Sequence, residues 1–216
     1  MPVRAATGRI QSGNLECIVL CGYEDEDRGH LWGPRQALPD FGLPALKGRT
    51  NYVLSGQDDA LFLFVTPSAH KPKEGRVFAA RTRDEERTWS RLGWVGPDHA
   101  DGFSIQPSTV RLEDHRFVTA TRWQRPGRSG VEIFRSENDG KTWRSMGNAV
   151  DTGARSTAHD LTRLRDGRLA LTYAQRDRAQ IFAKLSADEG ATGPETGTSV
   201  IRALRRWPAG NGVVLG

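Results

Sequence analysis

Along residues 51–66, NYVLSGQDDALFLFVT, an apolar run, a polar turn and a second apolar run follow one another. The same order returns in PSTVRLEDHRFVTATRW (107–123) and HDLTRLRDGRLALTYAQRD (159–177), where EDH and RDG supply the turns. Short runs rich in Val, Leu, Phe and Thr on either side of a polar turn predict β-hairpins. A third apolar run follows in each case (GRVFAAR, GVEIFRS, QIFAKLS), then a polar octet whose last residue opens a fourth run. No window keeps an apolar period of 3.6, so no helix is predicted. Each unit reads as a four-stranded antiparallel meander of about 50 residues.

The octets are themselves a repeat. SENDGKTW at 136–143 has the form S-x-N-x-G-x-T-W, carried by Ser136, Asn138, Gly140, Thr142 and Trp143. TRDEERTW at 82–89 keeps Thr82, Asp84, Thr88 and Trp89 but has Glu86 at the glycine position. SADEGATG at 186–193 keeps Ser186, Asp188, Gly190 and Thr192 without the tryptophan, and DEDRGHLW at 25–32 keeps Asp27, Gly29 and Trp32. Their last positions, 32, 89, 143 and 193, are 57, 54 and 50 residues apart. An Asp or Asn side chain can accept backbone N–H groups of its own turn, and glycine can take a positive φ. The octet is therefore expected to be the turn between third and fourth strands, with the tryptophan buried against a neighbouring sheet.

Composition narrows the reading without changing it. With 216 residues, 37% of them hydrophobic, the chain can bury one sizeable core and is expected to form a single domain over 1–216. The units are expected to end near 32–50, 89–105, 143–157 and 193–216. Of the 31 basic residues 26 are arginine, lysine occurring only at 47, 71, 73, 141 and 184. The net charge is +5, but the basic residues are scattered among acids rather than clustered, which argues against a nucleic-acid footprint. No apolar stretch is long enough for a membrane-spanning helix, and MPVRAATGRIQSG lacks the apolar core of a signal peptide, so no membrane partner is expected and the compartment stays open. Cys17 and Cys21 lie four apart in the strand-like run ECIVLCGY, about 13 Å from one another, too far to bridge. No Cys/His spacing suits a metal and no glycine-rich loop follows a strand, so no metal or cofactor is expected.

Successive four-stranded sheets of this size suggest blades around an axis, the propeller plan. The octets resemble the Asp boxes, or BNR repeats, of the sialidase (neuraminidase) superfamily. WGPRQAL after Trp32, LRDGRLALTYAQRD at 164–177 and GPE after the last octet resemble that family too. The resemblance implies an all-β, six-bladed sialidase-like propeller. About four blades are present here, so the chain is expected to be part of a longer propeller.

The meander also sorts the two faces. If the first strand of each blade starts at the top, turns one-to-two and three-to-four lie underneath, and the boxes with them. Groups able to meet a ligand then belong at the start of strand one, the end of strand two and the loop after it. This selects Arg49 and Asn51, then Gln106 and Arg122, then Arg155, His159, Asp160 and Arg176. The family resemblance implies three arginines holding the carboxylate of an α-linked sialic acid, a tyrosine nucleophile activated by a glutamate, and an aspartic acid as proton donor. It places Arg122 on one of those arginines, sixteen residues after Gln106. Gln106 stands where the activating glutamate would be, and glutamine cannot take a proton. The phrase that carries the first arginine is only echoed by GRIQS at 8–12, with Arg9, and Tyr23, Tyr52 and Tyr173 are the only tyrosines.

Two functions are thus in play. One is a glycoside hydrolase of the exo-α-sialidase class with Asp160 and Gln106 at the catalytic positions and Arg49, Asn51, Arg122, His159 and Arg176 around the sugar. The other is a non-catalytic propeller that uses the same face to bind glycan or protein. The oligomeric state is not legible.

Overall fold

The computed structural model describes residues 4–12, 15–23, 36–56, 58–68, 70, 74–113, 115–155, 158–176, 180–190 and 200–202. The octet at 25–32, with Asp27, Gly29 and Trp32, lies outside the described residues, as does Thr192. Every regular element in the described residues is a strand. The first sheet holds β1 (Arg4–Ser12), β2 (Leu15–Tyr23) and β3 (Gln36–Ala37). The second holds β4 (Lys47–Leu54), β5 (Ala60–Pro67), β6 (Gly75–Thr82) and β7 (Ser90–Val95). The third holds β8 (Phe103–Glu113), β9 (Arg116–Arg125), β10 (Arg128–Ser136) and β11 (Arg144–Gly153). The fourth holds β12 (His159–Arg163), β13 (Leu169–Gln175), β14 (Gln180–Ser186) and β15 (Val200–Arg202).

Each sheet is an antiparallel meander in chain order. The first strands of successive sheets pack on one another, β4 against β8 and β8 against β12. They form the inner wall of a propeller arc that does not close on itself. The near-continuous burial of β5 and β6 reflects this stacking, since a strand covered on both faces must be apolar on both. In β5 every residue from Ala60 to Thr66 is buried. Leu61, Leu63 and Val65 face the third sheet, where they meet Ile105, Phe117 and Phe134. Phe62 and Phe64 face the other way, into an aromatic cluster with Phe41, Phe78 and Trp89. A second joint, between the third and fourth sheets, buries Val118, Ala120 and Val131 against Leu169, Leu171 and Phe182.

The boxes are built alike. In the second sheet Asp84 Oδ1 accepts the Thr88 N–H at 2.8 Å, and in the third Asn138 Oδ1 accepts the Thr142 N–H at 2.9 Å. The Trp89 and Trp143 indole N–H groups both donate, at 3.0 Å, to the carbonyl three residues earlier. Ser186 Oγ accepts the Gly190 N–H at 2.8 Å, as Ser136 Oγ accepts that of Gly140 at 2.9 Å. Two consecutive residues in each box have positive φ: Glu85 (55°) and Glu86 (65°), Asp139 (62°) and Gly140 (79°), Glu189 (58°) and Gly190 (77°). Glu86 occupies with a side chain the conformation that glycine takes in the other two boxes, at a cost on the order of 1 kcal/mol. Glu86→Gly is expected to raise the unfolding free energy by about 1 kcal/mol, read from the urea midpoint at unchanged m-value.

Arginines lock the boxes of the third and fourth sheets to the sheet before. Arg81 forks onto Asp59 at 2.6 Å and reaches Asp139 of the next box at 2.6 Å. One sheet later Arg135 lies 3.4 Å from Glu189 of the following box, and Arg116 lies 2.9 Å from it. The one-to-two turns share this face, as the Asp139 N–H bond to the His115 carbonyl (2.9 Å) shows. Turns and boxes therefore lie at one end of the arc. Strand-two ends lie at the other.

Candidate functional site

The sheet registers supply a common numbering for the blades. Ala60, Phe117 and Leu169 each pair with the first residue of a box, Thr82, Ser136 and Ser186. Five residues further along strand two, at the end opposite the boxes, stand Val65, Arg122 and Ala174. On strand one, Asn51 pairs with Leu63, Ser108 with Ala120 and Asp160 with Thr172, which makes Asn51, Ser108 and Asp160 equivalent.

Strand β8 is irregular just where it meets Arg122. Ile105 pairs with Arg122 and Ser108 with Ala120, so one extra residue is accommodated between them. Gln106 takes it up with φ 53°, followed by Pro107, which has no N–H to lose from the ladder. A non-glycine residue held at positive φ costs free energy and persists only where its surroundings fix it. This bulge turns the Gln106 side chain back, so that Arg122 Nη1 donates to Gln106 Oε1 at 2.8 Å. The Arg122 guanidinium carbon also stands 5.6 Å from the centre of the Phe103 ring. A guanidinium with a neutral amide as its fixed neighbour has an oriented donor fork, and that neighbour supplies no countercharge.

His159 joins the same group from the fourth sheet. Its Nε2 donates to the Ala120 carbonyl at 3.1 Å, two residues before Arg122. Burial pushes the imidazole below its ordinary pKa, Ala120 and Asp160 pull the other way, and Arg122 pushes down again. The ring is therefore neutral at pH 7, with Nδ1 as a buried acceptor that has no hydrogen-bond partner among the described residues. Asp160 Oδ1 accepts from Ser108 Oγ at 2.8 Å and Oδ2 from Thr162 Oγ1 at 3.0 Å. Asn51 Oδ1 accepts the Thr109 N–H at 2.9 Å.

Of the residues singled out in the sequence, the structure brings Gln106, Arg122, His159 and Asp160 to one place on the inner wall. Asn51 is tied to the same strand from the preceding sheet. Arg49 sits within β4, across an irregular stretch between Lys47 and Asn51. Arg155 is exposed in the loop before β12, and Arg176 is exposed one residue past β13. Tyr52 stacks on Phe62 and Tyr173 on Phe182, at 5.4 Å and 5.6 Å between ring centres. The sequence reading missed Phe103 and Ser108. Phe103 carries no motif, whereas Ser108 could have been found from its place in the repeat, in step with Asn51 and Asp160.

Residues 12–195 match the model of the BNR repeat-like domain. The chain belongs to that family. The BNR propeller is similar in fold to a protein of unknown function from Dyadobacter fermentans, at a TM-score of 0.69 and 18% identity over 94% of this chain and 61% of that one. It is similar to an α-L-arabinanase from Penicillium chrysogenum complexed with arabinobiose, at a TM-score of 0.67 and 14% identity over 93% and 63%. A Hadza microbial sialidase aligns at a TM-score of 0.65 and 17% identity over 88% and 43%. The BNR chain thus spans less than two thirds of the length of each. No curated protein sequence matches it significantly. At these identities the likeness is one of fold, shared by sialidases and arabinanases alike.

Proposed function

We propose that the inner-wall site binds the carboxylate of a sialylated glycan through Arg122, as part of a glycoside hydrolase of the exo-α-sialidase class. The observation that carries this reading is the Arg122 fork, oriented by Gln106 Oε1 at 2.8 Å at the end of the arc away from the boxes. Guanidinium matches a planar carboxylate in a bidentate manner. Asp160 is the acid available on the same wall to protonate a leaving oxygen. Gln106 cannot act as a base, and this favours the second reading, a non-catalytic propeller that holds the sugar acid without cleaving it.

Titration with N-acetylneuraminic acid and hydrolysis of its 4-methylumbelliferyl glycoside separate the two. Arg122→Ala is expected to weaken binding by about 10- to 100-fold, the loss of a charge-assisted pair. Turnover that falls in step supports the hydrolase, and binding without turnover supports the binding module. Equal affinity in both proteins removes Arg122 from the proposal. Cleavage of a 4-methylumbelliferyl arabinofuranoside, unaffected by Arg122→Ala, would turn the reading towards a neutral sugar.

A further inference from the structure

Equivalent positions on strand one make equivalent hydrogen bonds across the two joints that flank the third sheet. Asn51 Oδ1 accepts the N–H of Thr109, the residue after Ser108, at 2.9 Å. Ser108 Oγ accepts the N–H of Leu161, the residue after Asp160, at 2.8 Å. In each case a short polar side chain of one inner strand takes up a backbone donor of the next. The acceptor type differs, an amide in one sheet and a hydroxyl in the other, while the geometry is kept.

These bonds lie directly after the bulge that carries Gln106. Immediately after it, the Ser108 hydroxyl is held by Asp160 and Leu161, and the Thr109 N–H by Asn51. Thr109 Oγ1 donates to Thr119 Oγ1 at 2.8 Å, and Thr119 Oγ1 donates to the Ser108 carbonyl at 3.2 Å. Thr119 lies on β9, three residues before Arg122. Ser108, Thr109 and Thr119 are all buried, so loss of one partner leaves a donor without water to replace it. The strained Gln106 backbone is thus fixed from its C-terminal side by neighbouring sheets and by β9, and not by its own strand alone.

We infer that Asn51 is a positioning residue for the Gln106–Arg122 pair, acting across the sheet joint through the Thr109 N–H, with Ser108 playing the same part towards the fourth sheet. This differs from the direct sugar contact expected for Asn51 from its place on the rim. It rests on the proposed anion site for its functional consequence, but its structural consequence stands alone.

The test uses the full chain with Asn51→Ala, Asn51→Asp and Arg122→Ala. Asn51→Asp retains the acceptor oxygen and Asn51→Ala removes it. In Asn51→Ala the Thr109 amide is expected to exchange faster and the Arg122 Nε–H resonance to move, and in Asn51→Asp both are expected to return towards their original values. Affinity for N-acetylneuraminic acid should fall by about three- to tenfold in Asn51→Ala, in keeping with one hydrogen bond. An Arg122 resonance unmoved in a folded Asn51→Ala protein overturns the positioning role. If Arg122→Ala leaves sugar affinity unchanged, the anion site fails and the resonance alone decides the positioning role of Asn51. Should Asn51→Ala fail to fold, Ser108→Ala, read at the Leu161 amide and the same Arg122 resonance, decides in its place.

Discussion

Arg81→Ala is expected to lower the unfolding free energy by about 3 kcal/mol, the loss that follows when one partner of a buried ion pair is removed. Only 7% of the Arg81 side chain is exposed, and its three donor groups reach Asp59 twice and Asp139 once, each at 2.6 Å. Asp59 belongs to the turn of its own sheet and Asp139 to the box of the next, so the guanidinium joins two blades. Without it Asp139, 16% exposed, keeps among the described residues only the basic side chains of His115 at 3.1 Å and Arg83 at 3.7 Å. Urea denaturation should show a lower midpoint, and a loss below about 1 kcal/mol would reduce the pair to the value of a surface contact.

The same pair gives the loss a pH dependence of defined sign. Burial pushes the Asp139 carboxyl up, but hydrogen bonds from Arg81 and His115 outweigh it and hold the group below the ordinary carboxylate value. A depressed folded pKa means that the carboxylate stabilises the fold fully above its unfolded value. That contribution disappears as pH falls through the folded value. The gap between wild type and Arg81→Ala should therefore be widest near neutrality and shrink below about pH 4. A gap that widens on acidification would contradict the assignment.

Gly93→Ala is the second large effect expected, about 3 kcal/mol destabilising, at the upper end for overpacking because the obstacle is backbone. A β-carbon on Gly93 would lie 2.1 Å from the Lys141 carbonyl oxygen and 2.9 Å from its carbonyl carbon. Lys141 sits within the box of the third sheet, directly before Thr142 and Trp143. Relief requires β7 and that box to separate, which pulls Trp143 from the joint that it helps to fill. Thermal unfolding should show the loss together with increased Trp143 exposure to quencher. A melting temperature within a degree of wild type would mean that the joint yields freely.

Much of the architecture was legible because it is periodic. Three copies of a hairpin followed by a polar octet reveal the sheets from β4 to β14, and their turns fall where EDH and RDG predicted. β1 was not legible, since RAATGRIQS mixes a glycine and two arginines with little aliphatic content and contains no turn signal of its own. The site was legible only by position. Gln106 and Arg122 could be placed on one face by counting strands, yet their hydrogen bond depends on a bulge, and the sequence Gln-Pro does not announce a positive φ. Asn51 was assigned to the rim by counting strands, but which of its neighbours it holds depends on the joint between sheets, which no local pattern encodes.

Valine, arginine and alanine stand at one and the same station of three successive ladders, Val65, Arg122 and Ala174, each paired alike to the third strand of its sheet, to Val77, Val131 and Ile181. A station that admits an isopropyl group, a cation and a methyl is not dictated by the requirements of folding. The blade can therefore exchange what it displays at this point while its ladder to the third strand stays as it is, and the charge at Arg122 is not fixed by that ladder.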